Sequence, residues 1–216
     1  MKNTAIIIGA TGLVGSEILN YCLSDKRIKK VKVFVRKSTG ISDSKMEEFV
    51  VNFDELNNWR KDLTGDILFS ALGTTKKQVG TREAQRLVDY DYQLRIAQTA
   101  KINGIKNYVL VSAPSANTKS WFAYTKIKGE LERDVMKLSF PKITIIRPGL
   151  LKGTRSHTRF VEQNLGKVLS FFPIIPGLEA LKPVSGKHVA HACVELSLDD
   201  QHGQRILNPK EVLHFL

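Results

Sequence analysis

Tyr124 and Lys128 stand four residues apart in Tyr124-Thr125-Lys126-Ile127-Lys128, so on a helix the two side chains share one face. A phenol with an unperturbed pKa of about 10 is a poor acid or base at neutral pH. A nearby ammonium stabilises the phenolate, and lowering that pKa by about two or three pH units takes roughly 3 to 4 kcal/mol. Such a tyrosine can donate a proton to a carbonyl oxygen. Ser112 precedes Tyr124 by twelve residues at the end of an apolar run and could hydrogen-bond the same oxygen. In Val111-Ser112-Ala113-Pro114-Ser115 the role passes to Ser115 if the turn is bent. By itself a tyrosine–lysine pair at this spacing occurs on many helices by chance, so its meaning depends on what surrounds it.

The element that gives it a context is Ala5-Ile6-Ile7-Ile8-Gly9-Ala10-Thr11-Gly12-Leu13-Val14-Gly15. Four apolar residues before a glycine read as a buried strand, and Val14, Ile18 and Cys22 fall on one face of a following helix. Gly9, Gly12 and Gly15 then sit on the strand-to-helix turn, where backbone amides can approach a diphosphate and the helix can pack tightly on the strand. The helix amino terminus presents unpaired N–H groups to that anion, with Thr11 placed to cap the helix or touch phosphate. This is a dinucleotide-binding pattern in its expected context.

A second strand, Val31 to Val35, ends in Arg36-Lys37, about twenty residues past the last glycine. An acid there binds a ribose 2′-hydroxyl and an arginine accommodates a 2′-phosphate; no acid occurs before Asp43, so NADP(H) is favoured over NAD(H). Further strands are expected at 48–51, within 66–75 where a strand runs into a small-residue turn, at 108–111 and at 143–146, with Asn52-Phe53-Asp54 able to flank the adenine. A helix over 81–103 shows Leu87, Tyr90, Leu94, Ala97 and Lys101 as its stripe, and a second helix covers 121–138. The alternation predicts an α/β, Rossmann-like, doubly wound parallel sheet. One domain over 1–216 is expected, with a cofactor-binding core over 1–150 and substrate-side loops and C-terminal elements over 151–216. In that last part a helix over 189–196 and an edge strand over 204–208 are expected. Phe171 to Gly177 could wall a hydrophobic pocket, form a subunit contact or pack over the core.

The net charge of +12 raises nucleic acid as a partner, but the basic residues are scattered and lack interleaved aromatics, so no specific nucleic acid is expected. No stretch approaches the roughly 20 apolar residues of a membrane span, and no signal peptide is evident; a cytoplasmic protein without membrane attachment is expected. The two cysteines, Cys22 and Cys193, read as buried free thiols, and no metal site is indicated.

Together, Gly-x-x-Gly-x-x-Gly, the strand-end serine, Tyr-x-x-x-Lys and the Pro-Gly after the sixth strand resemble the short-chain dehydrogenase/reductase superfamily over nearly the whole chain. Gly9 to Gly15, Leu72-Gly73-Thr74-Thr75, Val88-Asp89-Tyr90-Asp91-Tyr92, Lys128-Gly129-Glu130 and Arg147-Pro148-Gly149 look like its atypical branch, that of the HIV Tat-interacting oxidoreductase and its bacterial relatives. The resemblance implies a Rossmann fold, NADP(H), and Ser112, Tyr124 and Lys128 as the catalytic set. It also implies Pro148 and Gly149 beside the nicotinamide, Asn52 and Phe53 at the adenine and Gly73 in the cleft. The cofactor contacts expected are therefore Gly9, Thr11, Gly12, Leu13, Val14, Gly15, Arg36, Lys37, Asn52, Phe53, Leu72, Gly73, Thr74, Tyr124, Lys128, Pro148 and Gly149.

The first functional expectation is an NADPH-dependent reductase of a carbonyl on a hydrophobic small molecule, in which two copies could pair through their long helices. A non-catalytic NADP(H) sensor acting through a protein partner is the alternative. Reduction of a flavin or similar ring system would not need Tyr124 at all.

Overall fold

A computed structural model describes residues 3–152 and 183–215. Strand β1 (Asn3–Ile8) opens the fold, and Ala5 to Ile8 are all fully buried, each isoleucine worth about 1.5–3 kcal/mol of apolar burial. Such a run, apolar on both faces, can occupy only the middle of a sheet covered on both sides. It is followed by α1 (Leu13–Ser24), β2 (Ile28–Val35), β3 (Met46–Val50), α2 (Leu56–Trp59) and β4 (Ile67–Ser70). Next come α3 (Lys76–Val79), α4 (Arg82–Arg86), a π turn (Leu87–Asp91), α5 (Tyr92–Ile102), β5 (Asn107–Val111), α6 (Ala123–Met136), β6 (Lys142–Ile146) and β7 (Leu151–Lys152). After the undescribed stretch come β8 (Val184–Ser185), α7 (Gly186–Leu198), β9 (Gly203–Leu207) and α8 (Pro209–Val212).

The main sheet has seven strands in the order β3-β2-β1-β4-β5-β6-β9, every neighbour parallel. β7 and β8 form a separate parallel pair. Alternate residues of β1 enter opposite layers: Ala5 and Ile7 pack with α1 and α7, whereas Ile6 and Ile8 pack with α5 and α6. The expected doubly wound α/β sheet is therefore the observed one. Its strand order reverses between β1 and β4, and that reversal opens a crevice at their carboxyl ends.

Cys22 and Cys193 are buried free thiols in the α1–α7 layer, and burial pushes both far up from the usual thiol range. Several boundaries differ from those expected. β3 begins at Met46 rather than 48, and α6 begins at Ala123, leaving Trp121 and Phe122 exposed ahead of it. The final long helix starts at Gly186, not 189. The larger correction concerns 81–103. Its helix is interrupted by the π turn, whose extra residue rotates the buried face: of the expected stripe only Ala97 is deeply buried, Leu87, Tyr90, Leu94 and Lys101 are partly buried, and the other deep positions are Asp89, Gln93, Ile96 and Ala100. Phe171 to Gly177 lies outside the described residues.

Candidate functional site

At the crevice the three glycines have separable duties. Gly9 adopts φ +86°, and a Cβ there would stand 2.5 Å from the Ala71 carbonyl. A Cβ on Gly15 would stand 2.0 Å from the Gly9 carbonyl oxygen, so only glycine lets α1 meet β1 this closely. Gly12 is the residue at the head of α1, in extended conformation, and its N–H donates to the Gly9 carbonyl at 2.9 Å. Thr11 does not cap α1: the helix has no side-chain cap and no acid in its first turn. Its leading N–H groups are thus left for an anion. The side chains of Leu13 and Val14 point into packing, Val14 within the core and Leu13 against Gly186 of α7, so only the backbone amides of Leu13, Val14 and Gly15 are left to meet a ligand.

A cleft of about 280 Å³ runs from this turn. Gly9, Thr11, Gly12, Arg36, Phe53, Leu72, Gly73 and Thr74 line it, together with Phe34, Val35, Ala71, Gln78, Val79, Val88 and Tyr92. Phe53 packs on Tyr92 and Trp59 with ring centroids 5.6 and 5.7 Å apart, an apolar wall near Arg36. Tyr92 donates to Asp54 Oδ1 at 2.6 Å, and burial together with that carboxylate pushes its phenol up to about 12. The Asn52 side chain accepts from the Asp54 N–H at 3.1 Å and heads a short 3-10 turn. Lys37 is exposed and, like Asn52, Tyr124, Pro148 and Gly149, is not part of the cleft lining.

Tyr124, Lys128 and Glu132 follow one another at four-residue spacing along α6, with Tyr124 half-buried in its first turn. Lys128 is almost wholly buried; Nζ donates to the Leu72 carbonyl at 3.4 Å and lies 3.5 Å from Asp89 Oδ1. Burial pushes the Lys128 ammonium down and the Asp89 carboxyl up, and each charge opposes the shift of the other. Ser112 is buried and donates to Glu132 Oε1 at 2.5 Å. The same carboxylate accepts from Arg147 Nε at 3.0 Å and Nη2 at 2.5 Å. The strand-end serine is thus engaged with a carboxylate on α6, while Ser115 is exposed with φ +57°. Gly129 lets α6 approach the loop after β5, since a Cβ there would lie 2.4 Å from Asn117 backbone.

Asp89, Gln93, Glu132 and Arg147 are site components that the sequence reading did not assign. Gln93 Nε2 donates to the carbonyls of Leu72, Val88 and Asp89 at 3.2, 3.3 and 3.1 Å, and Oε1 accepts from Ser70 at 2.8 Å. It satisfies carbonyls that the π turn frees. The available signal was a polar pair, Asp89 and Gln93, four apart within a core-facing helix.

A family model described as NAD(P)H-binding matches residues 9–200. The chain belongs to this NAD(P)H-binding family. Among its relatives, the protein FMP52, mitochondrial, of Eremothecium gossypii is 35% identical over 219 residues, covering 97% of this chain and 95% of its own. The protein of the same name from Meyerozyma guilliermondii is 36% identical over 200 residues, covering 90% and 85%. A UDP-N-acetylglucosamine 4-epimerase from Methanobrevibacter ruminantium M1, in complex with UDP-N-acetylmuramic acid, has the same fold: TM-score 0.71, 17% identity, 96% of this chain and 77% of that one. MoeE5 in complex with UDP-glucuronic acid and NAD gives TM-score 0.75 at 16% identity, covering 95% and 75%. Such identities speak for the fold alone. These relatives carry the name FMP52. The expectation of a cytoplasmic protein is corrected by the same finding, since these relatives are named as mitochondrial.

Proposed function

We propose that the cleft binds a nicotinamide adenine dinucleotide, NADP(H) in preference to NAD(H), and that the chain is an oxidoreductase acting on the carbonyl of a hydrophobic small molecule. The observation that carries the proposal is the uncapped amino terminus of α1 opening on the Gly9–Gly12 turn. When bound, the nicotinamide supplies or accepts hydride. Gly12 and the first amides of α1 hold the diphosphate, and Phe53 and Tyr92 offer an apolar wall to the adenine. Arg36 meets the ribose 2′ position; no carboxylate stands among the described residues that line the cleft. Tyr124 donates the proton to the carbonyl oxygen, with the Lys128 ammonium on the same helix face. Trp121, 99% exposed, and Phe122, 52% exposed, stand just before Tyr124 and support an apolar substrate. The motif resemblance to the Tat-interacting branch supports the NADP(H) preference. The relatives' names support a mitochondrial setting, and a tagged copy that fractionates away from mitochondria would remove that clause.

Calorimetric titration is expected to give NADPH an affinity about 10- to 100-fold above that of NADH, the worth of one charge-assisted arginine–phosphate contact. Arg36→Glu should narrow or reverse the difference. Equal affinities in the native chain would remove the NADP(H) preference.

The catalytic clause is tested by NADPH consumption against a panel of aldehydes, ketones and quinones. Tyr124→Phe should lower turnover about 10²- to 10⁴-fold with NADPH binding retained. Turnover that survives in this variant points instead to reduction of a ring system that needs no tyrosine. A second reading, a non-catalytic NADP(H) sensor, is favoured by one observation: the Ser112 hydroxyl is spent on Glu132. NADPH binding without turnover of any panel member would select it.

A further inference from the structure

The π turn Leu87–Asp91 carries a buried acid to which dinucleotide binding gives no role. Asp89 is fully buried, its Oδ1 accepts from the Thr74 N–H at 3.2 Å and its Oδ2 has no hydrogen-bond partner among the described residues. Lys128 Nζ, 3.5 Å from Oδ1, donates to the Leu72 carbonyl. The peptide groups on either side of Gly73 are therefore gripped by opposite ends of one ion pair: the carbonyl before it by the ammonium, the N–H after it by the carboxylate. Gly73 itself is not crowded by the described residues, among which a Cβ would meet only Asp89 Oδ1, at 3.6 Å.

Stability alone is a poor reason for such a pair, because desolvating two charges offsets most of their attraction and an apolar pair would pack as well. Its distinctive effect is orientation. With the Leu72 carbonyl turned inward, that acceptor is withdrawn from a cleft whose other end offers N–H groups to an anion. Gln93 reinforces the same carbonyl from α5 and ties it to Ser70 at the end of β4.

We propose that Asp89 is a positioning residue: paired with Lys128, it clamps the Leu72–Thr74 turn that walls the cleft, without touching the ligand. The clamp is a property of the free protein, and only its effect on cofactor affinity rests on the function proposed above.

The test is amide hydrogen exchange of the ligand-free chain, read by mass spectrometry on peptides covering 70–76 and 13–24, beside thermal melting and NADPH titration. Asp89→Leu combined with Lys128→Met removes the pair without stranding a charge. In that variant the amides of 73–75 are expected to exchange at least about 10-fold faster, with α1 exchange and the melting temperature close to native values. NADPH affinity is expected to fall by a similar factor. Asp89→Asn keeps an acceptor for the Thr74 N–H and should return exchange there to within about 3-fold of native, a rescue that a merely space-filling role would not produce. Asp89→Ala is the second variant if the double replacement does not fold, and it should also accelerate exchange at 73–75. Unchanged exchange at 73–75 in a folded variant, or loss of protection spread equally over α1, would overturn the clamp. A native chain that binds neither NADPH nor NADH would defeat the dinucleotide reading instead, and the exchange result would still decide the role of Asp89.

Discussion

Gly15→Ala is expected to weaken NADPH binding roughly 100-fold and to cost about 3 kcal/mol of stability, the upper end of what overpacking does. The added Cβ would stand 2.0 Å from the Gly9 carbonyl oxygen and 2.7 Å from its carbon. Both are backbone atoms of the turn itself, so neither can swing aside as a side-chain end would. The only relief is to lift α1 off β1, which withdraws the helix amino terminus from the cleft. At about 2–4 °C per kcal/mol for a chain of this size, the melting temperature should fall by roughly 6–12 °C. Gly12→Ala is the internal comparison. Its Cβ would lie 3.3 Å from the same oxygen, a contact relieved by a few tenths of an ångström, so its stability loss should be the smaller of the two. Circular-dichroism melts and NADPH titration of the pair check this order. A Gly15→Ala chain that melts and binds like the native one would end the close-packing account of the turn.

Glu132→Ala should be among the most damaging single changes on α6. Its carboxylate is almost fully buried, holds Arg147 through two hydrogen bonds and accepts a third from Ser112. Removing one member of a buried charge pair costs about 3–5 kcal/mol, because the remaining charge loses its partner. Arg147 keeps some contact with water, its side chain being 22% exposed, so the loss should fall near 3 kcal/mol. Glu132 also joins the ends of β5 and β6, through Ser112 and Arg147, and these strands lead into the loops at 113–120 and 148–150. Glu132→Gln preserves an acceptor for one donor and should lose about half as much. Chemical denaturation with both variants checks the ranking, and equal, native-like midpoints would mean that the cluster contributes nothing to the strand ends.

The parallel architecture was legible in the residues because it follows from local patterns. A run such as Ala5 to Ile8 has no polar face to give to solvent, and alternation of such strands with amphipathic helices leaves a doubly wound sheet as the natural packing. The glycine turn was legible for a similar reason: the spacing of Gly9, Gly12 and Gly15 is a local geometric demand, met within seven residues of chain. Cys22 and Cys193 followed from their apolar helical surroundings. Beyond these, precision was lost first at local detail that residue spacing does not mark, and second wherever a side chain's partner lay far along the chain. Thr11 was placed either to cap α1 or to touch phosphate; α1 has no side-chain cap, and Thr11 lines the cleft. The helix over 81–103 looked regular, since the 3.6-residue period that predicts a helix carries no mark of a π turn inside it.

The polar interior of the site is of this second kind. Ser112 meets a carboxylate twenty residues away on α6, Thr74 meets Asp89 across fifteen, and Lys128 reaches the Leu72 carbonyl across fifty-six. Sequence alone determined the α/β class, the glycine turn and the strand-end arginine, since torsional freedom, side-chain period and burial of apolar runs act between near neighbours. Tertiary structure alone decided which buried charges are paired and which backbone groups they hold, because a charge in a low-dielectric interior answers to whatever the fold brings within a few ångströms, whatever its distance along the chain.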